Sequence, residues 1–173
     1  MKTTLRIVVI VVLIAACISS ESLSADFGGP AGDGWHTWRV AAADGDELQI
    51  YVSIELGEPL RLRVRGNSVC SDNFDVEAID LGLVEVDQSI GWLQKHITPR
   101  SELSSDVLLA IALHPGDRPV TVLASIVKFG TDRKIREEAL FWLGQSDSDE
   151  AFAILDRMLS AGRGPRYPVG SLH

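Results

Sequence analysis

Leu48-Gln49-Ile50-Tyr51-Val52-Ser53-Ile54-Glu55-Leu56-Gly57-Glu58-Pro59-Leu60-Arg61-Leu62-Arg63-Val64-Arg65 alternates apolar and polar residues on either side of a Gly- and Pro-containing break. Side chains on an extended chain point to opposite faces in turn, so Leu48, Ile50, Val52, Ile54 and Leu56 share one face and Gln49, Tyr51, Ser53 and Glu55 the other. Leu60, Leu62 and Val64 repeat the pattern against Arg61, Arg63 and Arg65, with Gly57-Glu58-Pro59 as the turn between two antiparallel strands. On the N-terminal side Asp44-Gly45 offers an earlier turn, and the strand before it runs through Trp38 and Val40. The expectation is a three-stranded antiparallel meander, with a fourth strand near Leu81 to Val86. Together these make a β-rich module over residues 35–86.

Beyond Val86 the apolar period becomes helical. Ile90, Leu93 and Ile97 start it, and Thr98-Pro99 ends that segment because proline cannot continue the hydrogen-bond ladder. A second stripe, Val107, Leu108, Ile111 and Ala112, follows Ser104, Ser105 and Asp106 as capping candidates and stops at His114-Pro115-Gly116. A third helix has Asp117 as cap and Pro119 in its first turn, with Val122, Leu123, Ile126 and Val127 on one face. Thr131 or Asp132 opens a fourth, whose inward stripe is Ile135, Ala139, Trp142 and Leu143. Asp147 and Glu150, at capping-box spacing, open a fifth with Ala151, Ile154, Leu155 and Met158 inward. Residues 162–173 have Gly and Pro without periodicity and read as a disordered tail.

The helical half repeats. Ala112-Leu113-His114 falls on Leu143-Gly144-Gln145, and Leu123 to Val127 falls on Leu155 to Leu159, an offset of 31 to 32 residues. A helix hairpin of that length cannot bury its apolar face alone, so neighbouring hairpins must stack. Ile135-Arg136-Glu137-Glu138-Ala139-Leu140-Phe141-Trp142-Leu143-Gly144-Gln145, followed by Ser146-Asp147-Ser148-Asp149-Glu150-Ala151, resembles a bacterial HEAT-like repeat, and Leu109 to His114 is similar to the weaker repeats of such proteins. The resemblance implies a short α-solenoid over residues 87–161 that binds other proteins and performs no chemistry of its own. Two helix pairs fall short of the roughly three repeats a solenoid usually needs. A partner, a second copy or further repeats would have to cover the open end.

The other end of the chain carries a different signal. Lys2 and Arg6 precede an unbroken apolar run, Ile7 to Ala16, followed by Cys17 and the small, polar Ser19-Ser20-Glu21-Ser22. This is the order of a secretory signal peptide, here residues 1–17, and ten apolar residues are too few to span a bilayer, which takes about 20. Ile14-Ala15-Ala16-Cys17 resembles the bacterial lipobox, which implies lipidation at Cys17; ordinary cleavage near Ser22 to Ala25 is the alternative. Residues 18–34 read as a flexible linker. With Cys17 acylated or removed, Cys70 is left alone and no intramolecular disulfide is available.

Sixteen basic against 24 acidic residues give a net charge of −8, which repels nucleic acid and anionic lipid, so nucleic acid is set aside as a partner. Hydrophobic residues at 46% against 23% charged are enough for a core. No Gly-x-Ser-x-Gly, His-Glu-x-x-His, phosphate loop or paired Cys-x-x-Cys occurs, and His36, His96, His114 and His173 are scattered, so no catalytic, cofactor-binding or metal residue is assigned. Trp35, His36 and Trp38 are weighed as an aromatic platform against a core role. Arg61, Arg63 and Arg65 are weighed as an anion grip against a solvated face paired with Glu55 or Glu47. Asp44 with Asp46, and Asp147 with Asp149 and Glu150, lack the spacing of a calcium loop. The fold expected is α+β, a small antiparallel sheet followed by antiparallel helix pairs. The function expected is a non-enzymatic protein-interaction scaffold or adaptor of the bacterial cell envelope, attached to a membrane only by a signal or lipid anchor. A self-associating structural or assembly lipoprotein is the alternative, and an enzyme of unidentified class is third.

Overall fold

The computed structural model describes residues 27–41, 46–66 and 75–162, with side chains described to residue 160. The signal segment with Cys17, the Asp44-Gly45 turn, Cys70 and the tail after residue 162 lie outside them. The fold is mixed α+β. Its strands are β1 (Gly34–Ala41), β2 (Glu47–Glu55), β3 (Glu58–Arg65) and β4 (Ile79–Leu83). Five helices follow: α1 (Val86–Gln94), α2 (Leu103–Ala112), α3 (Arg118–Phe129), α4 (Arg133–Gly144) and α5 (Asp149–Gly162).

The expected meander forms, with β1 antiparallel to β2 and β2 to β3. Register brings His36, Val52 and Leu62 into one row and Trp38, Ile50 and Val64 into the next, so the even-numbered apolar residues share a face as their alternation requires. The fourth strand starts two residues before the stretch Leu81 to Val86 expected for it and ends three residues before that stretch does. It pairs parallel to β1, giving the order β3-β2-β1-β4. Its burial shows no clean alternation, because it closes an edge of the sheet.

The β2–β3 connection is tighter than the composition suggests. Only Leu56 and Gly57 lie between the strands, both with positive φ, 55° and 79°. Two such residues in succession make the hairpin turn whose twist matches the flanking strands. Pro59 therefore belongs to β3, opposite Ile54, on an edge strand where its missing N–H costs no ladder bond.

A single apolar core runs through both halves of the chain. Trp38, Ile50, Val52 and Leu62 from the sheet join Ile90 and Leu93 of α1, Val107, Leu108 and Ile111 of α2, Val122 and Leu123 of α3, and Ala139 and Leu143 of α4. β1 packs on α1 and β3 on α2, so the helices cover the face that carries Trp38 and Ile50. Fully burying one such aliphatic side chain contributes about 1.5–3 kcal/mol. The helices also touch in pairs: α3 on α4, α2 on α4 and α3 on α5.

The helix starts follow the expected places, with changes in the residue that caps. Asp132 caps α4 by accepting from the Ile135 N–H at 3.1 Å, and α3 begins after Asp117 with Pro119 in its first turn. Ser104, Ser105 and Asp106 fall inside the first turn of α2 and do other things. The Ser104 hydroxyl donates to the Thr98 carbonyl at 2.7 Å, and Ser105 donates to Glu138 of α4 at 2.8 Å. At α5 the Glu150 N–H donates to Ser148 Oγ, one residue after the expected Asp147.

Within the stretch read as linker, Phe27 packs against the core and Gly29 against Trp92, while Gly28 and residues 31–33 are exposed. The Phe27 ring stands 5.4 Å from the Trp38 ring, and the His36 Nε2–H donates to the Ala31 carbonyl. Gly29, at φ +82°, passes so close to Trp92 that a Cβ there would come within 2.0 Å of the indole nitrogen.

Candidate functional site

Trp38 of β1, Ser89 of α1 and His114 in the turn after α2 meet in the core. Trp38 Nε1–H donates to Ser89 Oγ at 2.8 Å, and Ser89 Oγ lies 2.8 Å from His114 Nε2. His114 Nδ1 is 2.7 Å from the Ala110 carbonyl, which can only accept, so the proton sits on Nδ1 and Nε2 accepts from Ser89. Every polar atom of the three side chains is then used, in one direction, from Trp38 through Ser89 and His114 to the backbone of α2. Burial holds the imidazole neutral by pushing its pKa down from 6.5 to about 4, against a smaller upward pull from the Ala110 hydrogen bond.

A serine hydrogen-bonded to a histidine is also the core of a nucleophilic dyad. Here Ser89 is fully buried, its oxygen already accepts the Trp38 N–H, and the histidine is oriented by a backbone carbonyl. The geometry ties β1, α1 and the end of α2 together.

The residues weighed from the sequence separate in the structure. Trp38 and His36 are buried on the core side of β1, whereas Trp35, one position away, is half-buried on the opposite side, so the three do not form one platform. Arg61, Arg63 and Arg65 stand opposite Ser53, Tyr51 and Gln49. Arg63 reaches Asp106 of α2 at 3.4 Å, while Glu47 pairs with Arg39 at 3.5 Å. Asp106 is held above the ordinary carboxyl range by burial and by Glu138, against the opposing pull of Arg63, burial being the largest cause. His96 stacks on Trp92 with ring centres 4.2 Å apart, and burial lowers its pKa. Among the described residues no group of three or more His, Cys, Asp and Glu side chains is placed to hold a metal ion. No described helix is long and apolar enough to cross a membrane.

Exposed apolar side chains gather at the end of the helical layer. Phe152 and Leu159 of α5 are 65% and 64% exposed, and Leu155, between them in helical spacing, is half-buried. These three run along one side of α5 at i, i+3 and i+7. On α4, Phe141 is 56% exposed with its ring edge-on to Trp142. Trp142 itself packs against the core, as its place on the inward stripe requires. Inward-facing Ala151 of α5 is buried, and Ile154, Leu155 and Met158 are partly buried.

Comparison of the chain with protein-family profiles, curated proteins and solved structures gives no match.

Proposed function

We propose that this chain is an exported protein-interaction scaffold or adaptor of the bacterial cell envelope, which docks another protein on the open end of two HEAT-like helix pairs. The observation that carries the reading is the exposed stripe Phe152–Leu155–Leu159. Solvent contact at Phe152 and Leu159, two turns apart on the last described helix, is what an unstacked repeat end would present. The repeat reading is supported by the 31- to 32-residue offset at which Ala112-Leu113-His114 falls on Leu143-Gly144-Gln145 and Leu123 to Val127 on Leu155 to Leu159. The order of Lys2, Arg6 and the apolar run Ile7 to Ala16 supports export, and Ile14 to Cys17 supports a lipid anchor at Cys17. The partner is a protein with a complementary apolar helical face.

Light scattering on the full chain over a range of concentrations separates this from self-association through the same stripe. The scaffold reading expects a single-chain mass throughout. A mass that doubles with concentration, and returns to one chain when Phe152 and Leu159 are changed to Glu, would establish the self-associating alternative.

A further inference from the structure

The side of α5 away from the exposed stripe faces a second feature. Between α3 and α5 lies an open groove of about 390 Å³. Ala124 and Phe129 of α3 and Ile154 and Met158 of α5 give it an apolar wall. Two ionisable side chains line it, Lys128 and Arg157, and both are positive. This contrasts with a chain in which acids outnumber bases 24 to 16. Neither cation has a carboxylate within salt-bridge distance among the described residues, and the Lys128 ammonium rests 4.9 Å over the Phe129 ring at the groove wall. The volume falls within the range of roughly 300–1,000 Å³ typical of small-molecule sites, which are mostly apolar with a few placed polar groups. Methionine in the wall suits a flexible apolar guest, because its unbranched side chain adapts to irregular shapes.

We propose that the α3–α5 groove binds a small anionic amphiphile, a hydrocarbon chain ended by a carboxylate. The chain lies along Ala124, Phe129, Ile154 and Met158, and the carboxylate meets Lys128 and Arg157. Charge complementarity selects the head group: a cationic head would face two like charges, and a neutral one would leave two cations beside an apolar guest without a counter-charge. The site is independent of the docking stripe, since it uses Ile154, Arg157 and Met158 of α5, whereas the stripe uses Phe152, Leu155 and Leu159.

The test is calorimetric titration of the full chain with dodecanoate below its micelle concentration, against dodecyltrimethylammonium and dodecanol of equal chain length. Saturable one-to-one binding of dodecanoate is expected, with both analogues at least about tenfold weaker. Lys128→Glu with Arg157→Glu should reverse the order of the two charged ligands, and Ala124→Trp should block all three. Equal binding of the three, no dodecanoate binding, or dodecanoate affinity unchanged in the Lys128→Glu, Arg157→Glu pair would each overturn the proposal. Should Ala124→Trp fail to fold, the exposed charge pair alone decides the matter.

Discussion

Ser89 and His114, 25 positions apart, share a 2.8 Å hydrogen bond in which the hydroxyl also accepts the indole N–H of Trp38, 51 positions away. One hydroxyl thus joins the sheet to two helices. Ser89→Ala leaves the Trp38 N–H and His114 Nε2 buried without partners, each costing about 1–3 kcal/mol. A loss of about 3 kcal/mol is expected in urea unfolding, whereas an exposed serine such as Ser125 changed to Ala should stay within about 0.5 kcal/mol.

The same network predicts acid sensitivity. The folded-state pKa of His114, about 4, lies below the ordinary 6.5, so between those values the unfolded chain takes up a proton that the folded chain refuses. The contribution is complete above about pH 6.5, falls as pH drops through the window, and is gone below about pH 4. Its size is about 3 kcal/mol. The difference in unfolding free energy between the native chain and His114→Gln, followed from pH 7 to 4, should shrink by that order. A difference that stays constant with pH would refute the assignment of a neutral His114.

Gly29 and Gly32 make a matched pair. Both have positive φ, 82° and 87°, so alanine at either is strained by about 1 kcal/mol. At Gly32 the added methyl meets nothing within 4 Å, whereas at Gly29 it runs into Trp92. Gly29→Ala should cost about 1–3 kcal/mol more than Gly32→Ala in thermal or urea unfolding. Similar values for the two would mean that the segment ahead of β1 does not hold this place on Trp92.

At the hairpin tip Leu56 pays the strain of a positive φ with no packing in return, being 88% exposed. Leu56→Asn should raise stability by about 0.5–1 kcal/mol, since asparagine accepts that conformation readily. No gain in unfolding free energy would argue against the two-residue turn.

Much of this fold is legible in the chain because local pattern and burial agree. From Leu48 to Ile54 each alternate residue goes into the core, and Asp132 caps the helix its position announces. A fourth strand near Leu81 is expected from the sequence, but its bounds and its parallel pairing are not legible, since an edge strand with half-exposed residues has no alternation to read and its partner β1 lies some forty residues earlier. Ser89 reads as an ordinary helix residue until Trp38 and His114 are brought to it, which only the tertiary fold does. The turn at Leu56 was hidden by the Pro and Gly beside it, whose composition pointed one or two residues downstream. Of the exposed surface, the helical spacing of Phe152, Leu155 and Leu159 is plain in the sequence, but the exposure of Phe152 and Leu159 is set by how α5 packs in the tertiary fold.

The stripe of Phe152, Leu155 and Leu159 can be probed in place. A photoreactive phenylalanine analogue placed at position 152, and separately at position 121 on the exposed side of α3 as a control, is illuminated in the cells that make the protein, and adducts are resolved by mass. A discrete adduct with one other protein is expected from position 152, absent from position 121 and lost when Leu159 is changed to Glu. No adduct from position 152, or one whose mass is that of two copies of this chain, would contradict the scaffold reading.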